Sequence, residues 1–392
     1  MELDLGEMVA ALPGDALDAS HVAISGPDRV ASSAFDVDSI LANSAAFAVA
    51  ALDRLGEQRG VAVPDRTIDL EHLLAFATAH VEVGGEPVPA WADLSGVYPT
   101  RDGRHLQVHC NFEHHAEGVV RRLGCGPDRD SVASAIAERS ALELEAELIE
   151  DGMIGAVVRA LDEWAAHPHA AATEGLPLAT VERVGDGDPI PVSPSDDAAM
   201  SGLRVLDCSR VLAGPVSGQI LAGFGADVLR LGADHLPSVP VGVMSTGFGK
   251  RNASLDVRTD TGARTMDQLL AEADVWIDAY RPGAFDELGF PVERVVAQRP
   301  GLVVVQISAF DWVGPWAGRR GFDSIVQSTT GLRWAGGEFA RDRDGSPSHF
   351  GPIGLPVQAL DYATGFLAAG VAASLVDHQR RVGGSWLGRV SL

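Results

Sequence analysis

From Leu203 onward, short apolar runs alternate with helical stretches, and this alternation limits the possible folds more than any other feature of the sequence. The clearest runs are LRVLDCS, DVWIDAY and LVVVQIS. Apolar strands separated by helices are typical of a parallel sheet with helices on both faces. We therefore predict an α/β fold with a doubly wound, Rossmann-like parallel sheet, together with a smaller α+β domain in the less regular first half.

A stretch rich in Pro, Gly, Ser and Asp separates the two halves and predicts a linker at 184–200. We expect residues 1–85 to contribute helices and a strand that pack with the large domain. Residues 86–183 are predicted to form the small α+β domain, and residues 201–392 the large one.

The charge of the chain argues against a polyanionic partner. The sequence has 30 Lys and Arg against 54 Asp and Glu, a formal net charge of −24, which repels nucleic acid. Three scattered cysteines do not form a disulfide framework, and the acidic N-terminus does not resemble a signal peptide. The longest apolar helical stretch, 365–376, is shorter than the ~20 residues of a membrane span. We expect a cytoplasmic protein that binds neither nucleic acid nor membrane.

An internal repeat links the two halves. Asp38 and Asp361 each precede an Ala-rich helix and stand fourteen residues before a Leu, Leu52 in the first copy and Leu375 in the second. Each helix is followed by Arg- and Gly-containing residues and a short strand. The repeat predicts two related helix–strand units.

Three loops follow predicted strands and are candidates for ligand binding. RVLAGPVSGQ (210–219) leads from a strand into a helix, where doubly wound sheets place ligands, although a purely structural turn is an equal possibility. Lys250, the only lysine, and Arg251 lie in a glycine-rich basic loop that either contacts an anion or is simply solvated. Arg281, in YRPG, is placed to reach a phosphate.

Two acidic or metal-like features have competing interpretations. Asp361 begins a predicted helix, so it either caps that helix or acts as a nucleophile that forms an acyl anhydride. The cluster HCNFEHH (109–115) contains possible ligands, but adjacent histidines diverge and no second ligand group has zinc spacing. We predict that no metal is bound.

Five segments carry a family resemblance: RVLDCSRVLAGPVSGQILAGFGADVLRL, GKRNASLDV, ADVWIDAYRPGAFDELGF, ISAFDWVGPWAGRRGFDSIVQSTTGL and LDYATGFLAAGVAASL. In order and spacing they resemble family III CoA-transferases, the carnitine and formyl-CoA transferase (CaiB/BaiF) group. The segment at about 93–189 resembles the small domain of the same family, which normally follows the nucleotide-type domain but here precedes it. The chain therefore resembles a transferase whose second half comes first.

The resemblance implies an acyl-CoA:carboxylate CoA-transferase that forms an aspartyl mixed anhydride and then an aspartyl-CoA thioester. Asp361 matches the family nucleophile and keeps the preceding GFDSIVQSTTG, whereas Asp38 has no such context. Coenzyme A or acyl-CoA and a carboxylic acid would be the substrates, and an interlocked homodimer the assembly. The residues expected to contact CoA are Arg210, Val211, Ala213, Leu255, Val257 and Tyr280, with Lys250, Arg251 and Arg281 at its phosphates.

The sequence departs from the family at several positions. Gly232 and Ala233 replace residues that are often acidic and basic, Leu212 stands where some members have Gln, and Glu287 replaces a common CoA-contacting Arg. An α-methylacyl-CoA racemase is an alternative, but its Gly-His-Asp triplet is Gly-Phe-Asp here (321–323), without the histidine base. A non-catalytic protein that binds CoA or acyl-CoA is a second alternative.

Overall fold

The computed structural model describes residues 4–9, 12–13, 17–191, 193–195, 197–344 and 351–392. Its N-terminal elements are α1 (Gly6–Val9), β1 (Val22–Ser25), α2 (Val37–Gln58), β2 (Arg66–Asp69) and α3 (Leu70–Ala77). The next elements are β3 (Glu82–Val83), β4 (Glu86–Pro87), β5 (Gly96–Pro99), β6 (His105–Val108), α4 (Glu113–Leu123), α5 (Arg129–Ala137), α6 (Ala141–Glu150), β7 (Gly155–Val157), α7 (Leu161–Ala165), α8 (Pro168–Thr173) and β8 (Ala179–Gly185).

The second half contains β9 (Arg204–Cys208), α9 (Ala213–Gly223), β10 (Asp227–Gly232), α10 (Pro240–Thr246), β11 (Lys250–Ser254), α11 (Asp260–Glu272), β12 (Val275–Asp278), α12 (Ala284–Glu287), α13 (Val292–Gln298), β13 (Val303–Ser308), α14 (Asp323–Thr329), α15 (Leu332–Asp344), α16 (Ala359–Val382) and β14 (Ser385–Ser391).

A large sheet runs through the second half in the order β11-β10-β9-β12-β13-β14-β8. Its first six strands are parallel, and β8 pairs antiparallel with β14. Numbered along the chain, the parallel strands follow the order 3-2-1-4-5-6 of doubly wound sheets. The predicted α/β class is therefore confirmed. The domain boundaries stay predictions, and β8, from the predicted small domain, lies in this sheet.

Both faces of the large sheet are buried, which explains why its strands are apolar throughout. In β12, Ile277 packs against the core that contains α2, α9 and α16, whereas Trp276 packs against the core that contains α11 and α13. Val303 and Val304 in β13 divide in the same way. Because successive side chains of a strand point to opposite faces, a sheet covered on both sides requires unbroken apolar runs.

A smaller antiparallel sheet, β5-β6-β7, lies before the linker and has its own core. Leu106, Val119, Ile136 and Leu144 are fully buried in that core. This unit, 96–157, is called the small unit below.

The repeat extends to the strands that precede the two helices. β1 and β2 are parallel and pair Ile24 with Ile68, whereas β13 and β14 are parallel and pair Ile307 with Val390. In each copy the next rung begins with a serine, Ser25 in β1 and Ser308 in β13. In both copies, therefore, the strand that follows the repeat helix pairs in parallel with a strand that precedes that helix in the chain.

The two repeat helices, α2 and α16, share one core. A Cβ atom on Gly370 would lie 2.3 Å from the ring of Phe47, so the glycine allows close contact between the helices. The apolar part of α16 is longer than the predicted 365–376. The helix has 24 residues and is long and apolar enough to cross a membrane, but 94% of its apolar window is buried inside the structure.

Candidate functional site

A cavity of about 570 Å³ lies at the carboxyl ends of the central strands. β9 and β12 are adjacent there, and their connections run in opposite directions across the sheet, which is where doubly wound sheets bind ligands. His114, His115 and Ile154 of the small unit form part of the wall. One chain therefore supplies both the sheet wall and the small-unit wall.

Most of the residues predicted from the sequence do line this cavity. They are Arg210, Val211, Ala213, Leu255, Val257, Tyr280, Arg281 and Asp361. Gly232, Ala233 and Glu287, where the sequence departs from the family, are also on the wall. The assignment of these residues to CoA contacts remains a proposal.

Asp361 lies in the first turn of α16 and is only 6% exposed. Burial and the charge of Asp323 raise the pKa of Asp361 well above its usual range, while the backbone N–H of Ala213 lowers it. The helix N-terminus also favours a negative charge at this position. The carboxyl group is thus held in a dry site from which ionisation yields a basic carboxylate.

Asp323 supports Asp361 from the first turn of α14. Its Oδ2 accepts the backbone N–H of Leu360 at 2.9 Å and that of Asp361 at 3.1 Å. The side-chain amide of Gln327 donates to Asp323 Oδ1, and Gln327 Oε1 accepts the Leu355 N–H at 2.8 Å. Burial raises the pKa of Asp323. The motif that contains Asp323 was recognised in the sequence, but this contact was not predicted from it.

The turn before α9 approaches Asp361 closely. Val211 has a φ of 70°, an unusual conformation for a β-branched residue, and Ala213 follows two residues later. A Cβ atom on Gly365 would lie 2.8 Å from the Ala213 carbonyl oxygen and 2.7 Å from Val216. Glycine at 365 therefore allows α16 to place Asp361 against the N-terminus of α9.

Asp38, the counterpart of Asp361 in the first repeat, has a different environment. Its carboxylate accepts the backbone N–H groups of Val30 at 3.2 Å and Ala31 at 3.1 Å, and it does not line the cavity. The structure therefore gives Asp38 a structural role and leaves Asp361 as the candidate nucleophile.

The structure corrects the prediction for Lys250, whose side chain is fully buried. Its Nζ lies 2.8 Å from Asp207 Oδ2 and 2.6 Å from the Pro215 carbonyl oxygen. A buried ammonium needs a counter-charge, and Asp207 supplies it. Arg251 also lies away from the cavity and pairs with Asp227 at the surface.

Two arginines on the cavity wall have no ion-pair partner within the described residues, Arg210 and Arg320. The guanidinium of Arg210 lies 4.5 Å from the Phe112 ring centroid, and Arg320 donates to the Gly152 carbonyl oxygen at 3.0 Å. Arg281, in contrast, is paired with Glu287. Arg320 was missed from the sequence although it directly precedes GFDSIVQSTTG. Unpaired guanidinium groups are well suited to phosphate.

The histidine-rich segment forms an aromatic cluster, of which His114 and His115 line the cavity. His109 stacks on Phe322 with ring centroids 4.0 Å apart, and burial lowers the pKa of His109 to about 4. Burial and nearby positive charges lower the pKa of His115 to about 3. Both rings are therefore neutral near pH 7. Across the part of the chain that the structure describes, no group of three or more His, Cys, Asp or Glu side chains is suited to a metal ion.

The strand order and the cavity define a doubly wound α/β protein with a ligand cleft that contains a buried carboxyl group and unpaired arginines. Residues 200–386 match the model of CoA-transferase family III. The resemblance inferred from the sequence is thereby confirmed.

Several curated proteins are similar to the chain. An acyl-CoA transferase of Gibberella moniliformis is 26% identical over 76% of this chain and 55% of its own length. A probable fatty acyl-CoA transferase of Mycobacterium tuberculosis is 31% identical over 46% of this chain and 47% of its own. The succinate–glutarate CoA-transferase of Agrobacterium fabrum is 31% identical over 48% of this chain and 50% of its own length. The chain thus spans about half the length of the curated relatives it matches.

Solved structures are also similar to it. The crystal structure of a CaiB/BaiF family protein from Brucella suis is 28% identical, covers 49% of this chain and 52% of its own, and has a TM-score of 0.42. The crystal structure of a protein from Mycobacterium tuberculosis is 27% identical and covers 53% of this chain and 54% of the solved chain, also with a TM-score of 0.42.

Proposed function

We propose that the chain transfers CoA between carboxylic acids, with Asp361 as the nucleophile. The observation that carries the proposal is the position of Asp361, a buried carboxyl group at a helix start on the wall of a cleft that also presents Arg210 and Arg320. The family match over 200–386 supports it. CoA fits this cleft because unpaired guanidinium groups can contact its phosphates while its thioester reaches Asp361.

The reaction balances as two exchanges on Asp361. A carboxylate oxygen of Asp361 attacks the thioester carbonyl, the carbon–sulfur bond breaks, and CoA thiolate leaves an aspartyl anhydride. The thiolate then attacks the Asp361 carbonyl carbon, which releases the donor acid and forms an aspartyl-CoA thioester. The acceptor carboxylate then attacks the aspartyl-CoA thioester, which releases CoA thiolate and forms a second anhydride. The thiolate attacks the acyl carbon of the acceptor in that anhydride, which forms the new acyl-CoA and frees the Asp361 carboxylate.

Because ionised Asp361 must attack, the raised pKa predicts an acid limb in the pH–rate profile. The exclusion of water by the buried site protects the anhydride and thioester from hydrolysis. The backbone N–H of Ala213 favours the ionised form of Asp361, which is the form that attacks the thioester.

The test is a mass-spectrometric screen of acyl-CoA and carboxylic acid pairs for CoA exchange. We expect Asp361→Ala to abolish exchange and Asp38→Asn, at the corresponding position of the first repeat, to retain it. With an ¹⁸O-labelled acceptor acid, one label should enter Asp361 during turnover. Exchange that persists in Asp361→Ala contradicts the proposal, and α-proton exchange without acyl exchange points instead to racemase chemistry.

We also propose that the protein is a cytoplasmic homodimer, as the resemblance implies. The cavity walls come from one chain, so activity per chain is expected to stay constant when a dimer dissociates on dilution. Light scattering that shows a monomer at all concentrations refutes the dimer, and localisation of a tagged chain tests the compartment.

A further inference from the structure

We propose that Asp323 and Gln327 form a clamp that positions Asp361 for attack on the thioester. This inference rests on the proposed function, because it assigns a role relative to Asp361 as nucleophile. Asp323 and Gln327 do not contact the substrate in this proposal, so they are positioning residues.

The first support is geometric. Asp323 Oδ2 accepts two consecutive backbone N–H groups, at 2.9 Å from Leu360 and 3.1 Å from Asp361. These groups lie in the first turn of α16, where backbone donors have no partner within the helix. A single carboxylate oxygen on α14 therefore fixes the start of the helix that carries the nucleophile.

Gln327 extends the clamp to the segment before α16. It follows Asp323 by one helical turn, donates its side-chain amide to Asp323 Oδ1, and accepts the Leu355 N–H at 2.8 Å. The chain is therefore held at Leu355 and again at Leu360, on both sides of the turn that leads to Asp361. Asp323 and Gln327 are only 1% and 2% exposed, so water does not compete for these bonds.

The second support is electrostatic. Asp323 and Asp361 are both buried, and the negative charge of Asp323 disfavours ionisation of Asp361. The other titratable groups around the pair are Arg333 on α15, which lowers the pKa of Asp323, and Tyr362, whose pKa is raised by burial and by Asp361. When Asp361 does ionise beside Asp323, its carboxylate is more basic than an isolated one and is a stronger nucleophile.

The test substitutes Asp323→Asn, which keeps one acceptor oxygen for the helix start and removes the charge, although the new amide also forces the Gln327 side chain to turn. We expect kcat to fall at least tenfold with little change in KM for acyl-CoA. The acid limb of the kcat profile should move to lower pH, because Asp361 ionises more easily without a neighbouring charge. Asp323→Glu, which restores the charge, should return the limb toward its original position.

Gln327→Ala separates the positioning effect from the electrostatic effect, since it removes the hydrogen bond to Leu355 but keeps the charge of Asp323. It should lower kcat without moving the acid limb. Asp278→Asn is the matched control, because Asp278 is another buried carboxylate that accepts from a glutamine amide, Gln306, but it does not contact Asp361. It should leave the acid limb in place.

The outcomes separate this inference from the proposed function. An unchanged kcat and acid limb in Asp323→Asn overturn the clamp even when Asp361→Ala abolishes transfer. Transfer that survives Asp361→Ala overturns both. Complete loss of turnover in an Asp323→Asn protein that melts cooperatively and binds CoA with unchanged affinity supports the clamp.

Discussion

We predict that the buried carboxyl group of Asp278 makes the free energy of unfolding decrease as the pH rises. The residue ends β12 and is 6% exposed. Its Oδ1 accepts the Tyr280 N–H at 3.2 Å, and its Oδ2 accepts the Gln306 side-chain amide at 3.2 Å. Burial raises the pKa of Asp278 from 3.8 to about 7, in spite of these hydrogen bonds, and the charge of Asp286 adds to the effect.

The sign of the effect follows from where the proton binds. Between pH 4 and pH 7 the folded chain keeps a proton on Asp278 that the unfolded chain has released, so the folded state binds more protons. The contribution to stability is fully present below pH 3.8 and is lost as the pH rises through about 7. Each pKa unit corresponds to about 1.4 kcal/mol, so raising the pH from 5 to 8 removes about 3 kcal/mol of stability.

The assay is denaturant unfolding of the wild-type chain and Asp278→Asn at pH 5 and pH 8. The asparagine has no charge to bury, so the wild type should lose about 3 kcal/mol more than the variant between the two pH values. The comparison cancels the other titrating groups, which the two proteins share. The amide also forces Gln306 to turn, so the absolute stability changes and only the pH dependence is diagnostic. If both proteins showed the same pH dependence, burial would not destabilise the ionised form of Asp278, and the reasoning would be refuted.

The remaining predictions concern Lys250, the cavity arginines and Gly365. Lys250→Met should destabilise the chain by about 3–5 kcal/mol in denaturant unfolding, because Asp207 stays buried without a counter-charge, and adding Asp207→Leu should restore much of the loss. Arg210→Ala and Arg320→Ala should each weaken CoA binding roughly tenfold or more by calorimetry, since each loses a charge-assisted contact; an equal effect from paired Arg281→Ala would contradict this ranking. Gly365→Ala should lower both activity and melting temperature and cost about 1–3 kcal/mol, because its Cβ would meet Val216 at 2.7 Å. Gly223→Ala, whose Cβ has open space, is the matched control and should be neutral or stabilising.

The sequence predicted the class of fold because both faces of the large sheet are buried. Trp276 and Ile277 point to opposite faces of the sheet, and both faces are buried, so both residues are apolar whichever strands lie beside theirs. The apolar pattern can therefore be recognised in the sequence without knowing the neighbouring strands. The repeat was also visible, because each copy needs the same small-residue helix after its aspartate. The parallel pairing of β1 with β2 and of β13 with β14 needed the structure, since strand pairing depends on contacts between distant segments.

The preference for Asp361 as nucleophile and the list of residues expected at the cavity wall came from the resemblance to the family, whereas the residues alone left Asp361 as either a helix cap or a nucleophile. The sequence could not decide which basic residues are available to a ligand. Lys250 and Arg210 both follow apolar strands or glycines, yet Lys250 is buried against Asp207 while Arg210 faces the cavity. Whether a basic side chain pairs with a distant carboxylate depends on the tertiary structure. Because Lys250 pairs with Asp207, it does not contact the CoA phosphates as predicted.

By itself, then, the sequence determined the alternating α/β order, the duplicated helix unit and Asp361 as a candidate, because these depend on local pattern and spacing. Only the tertiary structure decided that Asp38 is tied to backbone amides, that Asp323 and Gln327 hold Asp361, and that Arg320 rather than Lys250 faces the cleft. The physical reason is that the ionisation and reach of a side chain depend on burial and on partners up to hundreds of residues away.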